Sequence, residues 1–174
     1  MPYAMSQAAL PVFETGLTAL SAVLDKAAAF AAAKKIDPSV LLQSRLSPDM
    51  FALTRQVQIA CDGPKNGTSR LAGVEAPRFE DNEATIDELK ARIAKTLAYL
   101  KTVDPKAIDA GATREITFPL GAVKKGHMKG DDYLTHFMLP NFYFHLTAAY
   151  AILRHLGVDV GKQDFLGAIP ITIT

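Results

Sequence analysis

The stretch "LPNFYFHLTAAYAILRH" (Leu139–His155) carries the strongest structural signal in the chain. It is almost wholly apolar and is soon followed by Gly157, a residue type that commonly ends helices. We therefore expect a long buried helix from near Asp131 to about Leu156, with Pro140 inside it. The stretch also contains three polar residues that either surround a site or are tolerated in a core: Asn141, His145 and His155.

Two helices are expected in the first half of the chain. The first runs from about Tyr3 to Lys35, because leucine and alanine recur there at helical spacing. The second opens within "SPDMFALTRQVQIACD", where Ser47 is a suitable N-cap and Pro48 would occupy the first helical position. Gly63-Pro64 should end or bend this second helix, because proline disrupts helix interiors.

A third helix and a strand are expected before the final helix. Thr85 and Glu88 form a capping box, and the polar segment before them, "VEAPRFEDNEA", is expected to be a loop. Ile116 and Phe118 alternate with polar residues, which predicts a short strand, and "GAVKKGHMKG" is typical of a turn or hairpin. This order predicts an all-α four-helix bundle with a small strand or hairpin insertion before the last helix.

Composition limits the classes of protein that this chain can represent. Its 174 residues suit one domain covering positions 1–174, and its net charge of +1 gives no basis for binding nucleic acid. Cys61 is the only cysteine, which excludes an internal disulfide and a thiolate metal cage. The N-terminus lacks a signal-peptide pattern, and the apolar stretches are too short or too interrupted to span a bilayer. We therefore expect a cytoplasmic protein with no membrane partner.

The histidines of the last helix cannot act as a pair. His145 and His155 are ten positions apart, so an ideal helix places them about 15 Å apart along its axis and roughly 80° apart around it. His136 and His145 lie on nearly opposite faces unless Pro140 bends the helix strongly. His155 is expected to have a structural or surface role, because the helix dipole favours a cation there.

Asn141 and His145 are different, because side chains four positions apart lie on the same face of a helix. On the second helix Gln56 can point toward the bundle interior, whereas Gln58 and Asp62 form a pair expected nearer the rim. Two interpretations of Asn141, His145 and Gln56 stay open. They either ligate an ion, or they satisfy one another through buried hydrogen bonds.

Nucleophilic and acid–base catalysis have little support in the sequence. Cys61 falls on the apolar stripe of the second helix, where a cysteine is usually inert packing. No G-x-S-x-G elbow is present. The carboxylates from Glu75 to Glu88 are interpreted as a solvated loop and helix start.

Five aromatic residues surround the Asn141–His145 position: Phe137, Phe142, Tyr143, Phe144 and Tyr150. Three of them are consecutive and must point in different directions around the helix. Some therefore face the core, and the others are expected to meet another helix or a second subunit.

Three segments resemble an uncharacterised bacterial family of unknown function that is allied to the DinB/YfiT-like helical bundles. They are "DMFALTRQVQIACD", "RLAGVEAPRFEDNEATIDELKARIAKTLAYL" and "LPNFYFHLTAAYAILRHLGVDVGKQDFLG", and the last is the most specific. The resemblance covers roughly Tyr3 to Gly167. It implies a four-helix bundle that is often dimeric. Some members of the wider superfamily use a divalent metal held by three histidines for thiol-dependent transfer or isomerisation.

The resemblance also implies three ligand positions in this chain. The superfamily's last helix typically has a His-x-x-x-His pair shortly before an "LRxLGV"-like end, which is Leu153–Val158 here. That pair falls on Asn141 and His145. The third histidine usually comes from the second helix, where Gln56 takes its place with Gln58 behind it. One ligand therefore matches and two are replaced.

Two functions are compatible with this pattern, and the sequence names no substrate for either. The favoured one is a non-catalytic small-ligand-binding or interaction protein, expected as a homodimer, with a polar pocket and a degenerate metal site. Neutral amides do not offset the desolvation of a divalent ion as imidazoles or carboxylates do. The alternative is a thiol-dependent transferase or isomerase, or a hydrolase, that binds Zn, Ni, Mn or Fe through Asn141, His145 and Gln56.

Overall fold

The computed structural model describes residues 4–121 and 123–172. Tyr3, expected to open the first helix, and Ala122, in the expected hairpin turn, lie outside these residues. Four long helices form the bundle: α1 Met5–Lys34, α3 Leu53–Ala72, α4 Ile86–Leu100 and α7 Leu139–His155. Short helices connect or follow them: α2 Pro38–Gln43, α5 Pro105–Asp109, α6 Gly130–Asp132 and α8 Lys162–Leu166. An antiparallel hairpin precedes α6, with β1 at Glu115–Leu120 and β2 at Lys124–Lys129.

The expected bundle with a hairpin insertion is confirmed, and its core lies between α1, α3, α4 and α7. Phe142 of α7 is fully buried, and its ring meets the edge of Phe13 at 5.0 Å between centroids. Gly16 of α1 allows this contact, because a Cβ there would lie 2.8 Å from the Phe142 ring.

Two local signals act as the sequence indicates. The capping box at α4 forms, with Glu88 N donating to Thr85 Oγ1 at 3.2 Å and Thr85 N donating to Glu88 Oε2 at 2.9 Å. After α7, Gly157 adopts the left-handed conformation with a φ of 91°, and Val158 N donates back to Leu153 O at 3.1 Å. These bonds satisfy backbone groups that a helix end leaves open.

The expected start of the second long helix at Ser47-Pro48 is wrong. Ser47 belongs to a turn, and its hydroxyl donates to Asp49 Oδ1 at 2.7 Å instead of capping a helix. α3 begins at Leu53, whose N–H donates to the carbonyl of Ser44 at 2.9 Å. Because the hydroxyl of Ser47 is bonded to this nearby carboxylate, it does not bond to a helix N–H, and the serine stabilises a turn instead of a helix start.

Two prolines are accommodated within helical segments. Gly63-Pro64 does not end α3, which continues through Pro64 to Ala72. In the last helical region, six residues, Tyr133–Met138, form a π-helical turn directly before α7. Pro140 lacks an N–H and its ring crowds the preceding turn, so a wider turn there is a physically reasonable accommodation.

The hairpin is anchored at the end of α3. Ile116 and Phe118 of β1 are buried, and Phe118 pairs with Gly126 of β2. Gly111 and Gly130 lie so close to neighbouring backbone that a Cβ on either would overlap with a carbonyl oxygen. This close approach holds the hairpin beside α3 and α7, where it forms one side of the groove described below.

α1 is long and apolar enough to cross a membrane by length and composition, which corrects the expectation that no stretch is. The buried share of its most apolar window is 44%. Core helices of soluble proteins pass the same test, and Phe13, Leu17 and Leu24 of α1 are fully buried in the bundle.

Candidate functional site

A groove of about 590 Å³ runs between α3 and α7, closed on one side by the hairpin. We call it the α3–α7 groove. Its polar lining is contributed by Arg55, Asp62, Asn66, Arg70, Asn141 and His145. Its apolar and aromatic lining is contributed by Phe51, Ile59, Phe118, Pro119, Leu120, Tyr133 and Phe137, with Gly63 and Gly121 completing it.

Gln56 and His145 form a direct cross-link between α3 and α7. Gln56 is 1% exposed and His145 is 7% exposed. His145 Nδ1 lies 2.7 Å from Gln56 Oε1. The expected inward orientation of Gln56 is therefore confirmed, because both residues lie on the faces that pack the two helices together.

The partners of Gln56 determine which nitrogen of His145 carries the proton. Gln56 Nε2 donates to the carbonyl of Phe51 at 3.1 Å, and a carbonyl can only accept. The amide oxygen of Gln56 must therefore face His145, and His145 Nδ1 donates to it. Nε2 of the neutral ring keeps its lone pair as an acceptor and has no hydrogen-bond partner in the described part of the chain.

The surroundings of His145 oppose its protonation. Burial disfavours the imidazolium, and the positive charge of Arg55 opposes it further, so the pKa of His145 is lowered from 6.5 to about 4. At neutral pH the groove therefore contains a neutral imidazole. This is the form that accepts a hydrogen bond or binds a metal.

Asn141 lies in the same groove but does not join the Gln56–His145 pair. It is half-buried, and its amide lies over Gly63, where a Cβ would be 3.7 Å from Asn141 Nδ2. Among the residues that the structure describes, its side chain has no hydrogen-bond partner. The structure thus joins two of the three sequence-predicted residues directly and leaves the third free to meet a ligand.

The donor set does not fit a zinc-type metal site. No group of three His, Cys, Asp or Glu side chains that could hold an ion occurs in residues 4–121 and 123–172. Gln56 Oε1 is occupied by His145. Asp62 faces the groove, but its Oδ1 binds Lys65 at 3.0 Å and Arg92 at 2.9 Å. One imidazole nitrogen and the neutral amides of Asn66 and Asn141 remain, and a divalent ion usually requires more charged or imidazole ligands.

Arg92 of α4 binds three carboxylates beneath the groove, and the sequence analysis did not identify it. Its side chain is 2% exposed, and it lies 2.9 Å from Asp62, 2.9 Å from Asp81 and 2.8 Å from Glu83. Burial would lower the pKa of Arg92, but the hydrogen bond to Glu83 and the carboxylate charges raise it. The guanidinium therefore stays charged at neutral pH.

The same contacts correct two expectations about polar residues. The acidic loop at residues 74–84 is not simply solvated, because Glu83 has a side chain only 11% exposed and accepts from Gln58 Nε2 at 2.9 Å. Gln58 is buried and does not lie at the rim, because Arg92 holds this loop down on α3. Burial raises the pKa of Glu83, but the hydrogen bonds from Arg92 and Gln58 outweigh burial, so the pKa lies below its ordinary value.

Two groove arginines were also missed by the sequence analysis. Arg55 donates to Gln58 Oε1 at 3.1 Å and pairs with Asp81. Arg70 donates to the hydroxyl of Tyr133 at 3.0 Å and has no carboxylate partner in the described part of the chain. Their positions on α3 could have identified them as groove residues, because both arginines lie on the same helix face as Asp62 and Asn66.

The sequence expectations for His155 and Cys61 fit the structure, but the five aromatic residues do not all surround the site: Phe137 lines the groove and Phe144 contacts the His145 ring, whereas Tyr150 packs on Phe165. His127, His136 and His155 are exposed, which leaves His145 as the buried histidine. Cys61 is fully buried, and burial raises the pKa of its thiol to about 12. Phe142 faces the core, whereas Tyr143 and Phe144 are 44% and 57% exposed.

Comparison with known proteins identifies the family. The family described as Domain of unknown function (DUF1993) matches residues 5–166. The chain belongs to the DUF1993 family. A crystal structure of a DinB family member from Shewanella denitrificans is 44% identical, covers 97% of this chain and 95% of its own, and superposes with a TM-score of 0.89. A comparison with curated proteins finds no match.

These comparisons confirm the expected relationship of this DUF1993 protein to DinB-like bundles and its fold. They assign no activity, ligand or metal to the chain. The chemistry of the α3–α7 groove must therefore be argued from its own residues.

Replacing Arg92 by leucine is expected to destabilise this DUF1993 protein by about 3–5 kcal/mol. The substitution removes the shared partner of Asp62, Asp81 and Glu83 and leaves their charges partly buried. Urea unfolding followed by circular dichroism would measure the loss. Arg78→Leu, in the loop that Arg92 binds and with a side chain 87% exposed, is the matched control and should change stability little. Equal losses in the two variants would contradict a structural role for Arg92.

His145 should titrate with a pKa of about 4 in the folded protein, measured by NMR of its imidazole carbons. Between pH 6.5 and about 4 the unfolded chain binds a proton that the folded chain does not, so stability should fall on acidification through this range. Gln56→Glu places a carboxylate beside Nδ1 and should raise this pKa. Gln43→Glu, which adds the same charge at an exposed position of α2, should leave it unchanged. A pKa near 6.5 in the unsubstituted protein would contradict the neutral, buried imidazole.

Proposed function

We propose that this protein is a non-catalytic, soluble, cytoplasmic protein that binds a small ligand in the α3–α7 groove, beside a degenerate metal site. The groove volume of about 590 Å³ lies within the usual range of small-molecule sites. The single observation that carries the proposal is the Gln56–His145 hydrogen bond, which uses the third ligand position internally.

This hydrogen bond supports binding of an organic ligand in preference to a metal. Nδ1 of His145 is committed to Gln56, so Nε2 offers one acceptor to the groove. Asn141 adds an amide whose two donors and acceptor are not bonded to any side chain or backbone group that the structure describes. Together they can recognise an N–H or O–H group on a ligand, and neither supplies the negative charge that a divalent ion needs.

A metal-dependent enzyme is the alternative, and metal analysis separates the two. The protein is purified without a histidine tag and incubated with zinc, nickel, manganese or iron before desalting. We expect substoichiometric metal by mass spectrometry, and the same low content in His145→Ala. The His155→Ala variant is the matched control, because His155 is an exposed histidine at the end of the same helix.

Stoichiometric metal that is lost in His145→Ala and kept in His155→Ala would overturn the proposal and favour the enzyme. Metal that is lost in His155→Ala instead would indicate adventitious surface binding and would leave the groove without a metal role.

We also propose that the chain forms a homodimer through the outer face of α7. Support comes from Tyr143 and Phe144, adjacent aromatic residues that are both exposed in the single chain. Burying such side chains between two copies would remove apolar surface from water.

Light scattering should give twice the mass of one chain, and Phe144→Glu should give a monomer. Val123→Glu, at a 93% exposed hairpin position, should stay dimeric. A monomeric unsubstituted protein would contradict the dimer.

A further inference from the structure

Arg70 is a half-buried cation that faces the α3–α7 groove, and no carboxylate among residues 4–121 and 123–172 pairs with it. It lies in the last turn of α3, and its hydrogen-bond partner is a neutral phenol. The other charges of the groove are compensated: Arg55 pairs with Asp81, and Asp62 is held by Lys65 and Arg92. The charge of the groove is therefore left positive at Arg70, which favours an anion.

Tyr133 supplies a second donor at the same place. A guanidinium can only donate, so the oxygen of Tyr133 accepts from Arg70 and its hydroxyl proton is left for another acceptor. Burial raises the pKa of Tyr133, although Arg70 acts in the opposite direction, so the phenol keeps its proton. A planar guanidinium beside a phenol O–H is a suitable pair of donors for the two oxygens of a carboxylate.

An aromatic wall adjoins these donors. Phe118 lies 4.9 Å from Tyr133 and 4.3 Å from Phe137 between ring centroids, and Tyr133 and Phe137 stack at 5.7 Å. All three rings line the groove. A flat apolar group next to a bound carboxylate would therefore meet aromatic surface on this side.

The two polar ends of the groove are separated along α3. Arg70 follows Gly63 by seven positions, which is about 10 Å of helix. The amide of Asn141 lies over Gly63, close to the His145 end. A ligand that uses both ends must carry its anionic group and its hydrogen-bond donor at opposite ends of an elongated body.

We propose that the ligand of the α3–α7 groove is a small aryl carboxylate, with its carboxylate on Arg70 and Tyr133 and its ring against Phe118 and Phe137. A hydroxyl or amine at the far end of the ligand donates toward Asn141 and His145. The inference rests on the proposed function, because it names the chemical class that the same groove takes.

The test uses matched acids and amides. The probes are 4-hydroxybenzoate, 3-(4-hydroxyphenyl)propanoate and 4-(4-hydroxyphenyl)butanoate, each beside its primary amide. Binding is followed by NMR titration of the ¹⁵N-labelled protein. We expect the acid of best-matching length to bind at least about tenfold more tightly than its amide, with shifts at groove residues.

Variants assign the preference to particular groups. Arg70→Gln should abolish the preference for the acid, and Tyr133→Phe should weaken acid binding while it keeps the ring packing. Arg154→Gln, the same substitution at an exposed arginine of α7, should change neither affinity. Thermal unfolding confirms that each variant is folded, and Arg70→Met, which also removes the charge, replaces Arg70→Gln if that variant does not fold.

The outcomes separate the two proposals. If amides bind the groove as tightly as acids, the carboxylate inference is overturned and the proposed function stands. An acid preference that survives in a folded variant without the charge of Arg70 also overturns it, and so does an acid affinity that Tyr133→Phe leaves unchanged. If no acid or amide shifts a groove resonance at millimolar concentration, the carboxylate inference is overturned, and the metal analysis decides the proposed function separately.

Discussion

The buried guanidinium of Arg92 is the constraint on which the site region depends. A charge that is almost fully removed from water must be surrounded by partners, and Arg92 takes them from α3 and from the loop at residues 74–84. This requirement brings an acidic loop against the bundle and buries Gln58. It also commits Asp62, which would otherwise be free to balance a cation in the groove or to bind a metal. The charge of the α3–α7 groove is thus decided by a residue that does not line it.

Electrostatic consequences of that arrangement extend to both ends of the groove. Burial, and then the positive charge of Arg55, lower the pKa of His145, so the imidazole at this end is neutral. Arg70, at the other end, has a phenol and no carboxylate as its partner within the described residues. A groove with a neutral acceptor at one end and a cation at the other is suited to an elongated anion. The imidazole and neutral amides that remain in the groove are poor ligands for a divalent cation, and the positive charge of the groove would repel such an ion.

Local physics explains which parts of the structure could be predicted. The capping box of Thr85 and Glu88 and the left-handed Gly157 are complete within a few residues, so sequence order is sufficient to identify them. The Asn141–His145 spacing follows from helix geometry alone. Ser47 does not cap a helix, because its hydroxyl bonds to the nearby carboxylate of Asp49 and not to a helix N–H. Arg92 was missed, although it directly precedes the buried Ile93, because its three carboxylates lie far from it along the chain or on another element.

The amino-acid sequence by itself determined the class of fold, the family resemblance and the residues worth examining, because apolar periodicity, capping chemistry and short motifs depend on neighbours along the chain. Tertiary structure decided what those residues do. Whether Gln56 binds an ion or His145 depends on the 2.7 Å contact between two helices. Whether an arginine is neutralised depends on which carboxylates the fold brings to it. Arg92 is neutralised by carboxylates that include Asp62 and Asp81, whereas Arg70 meets the phenol of Tyr133.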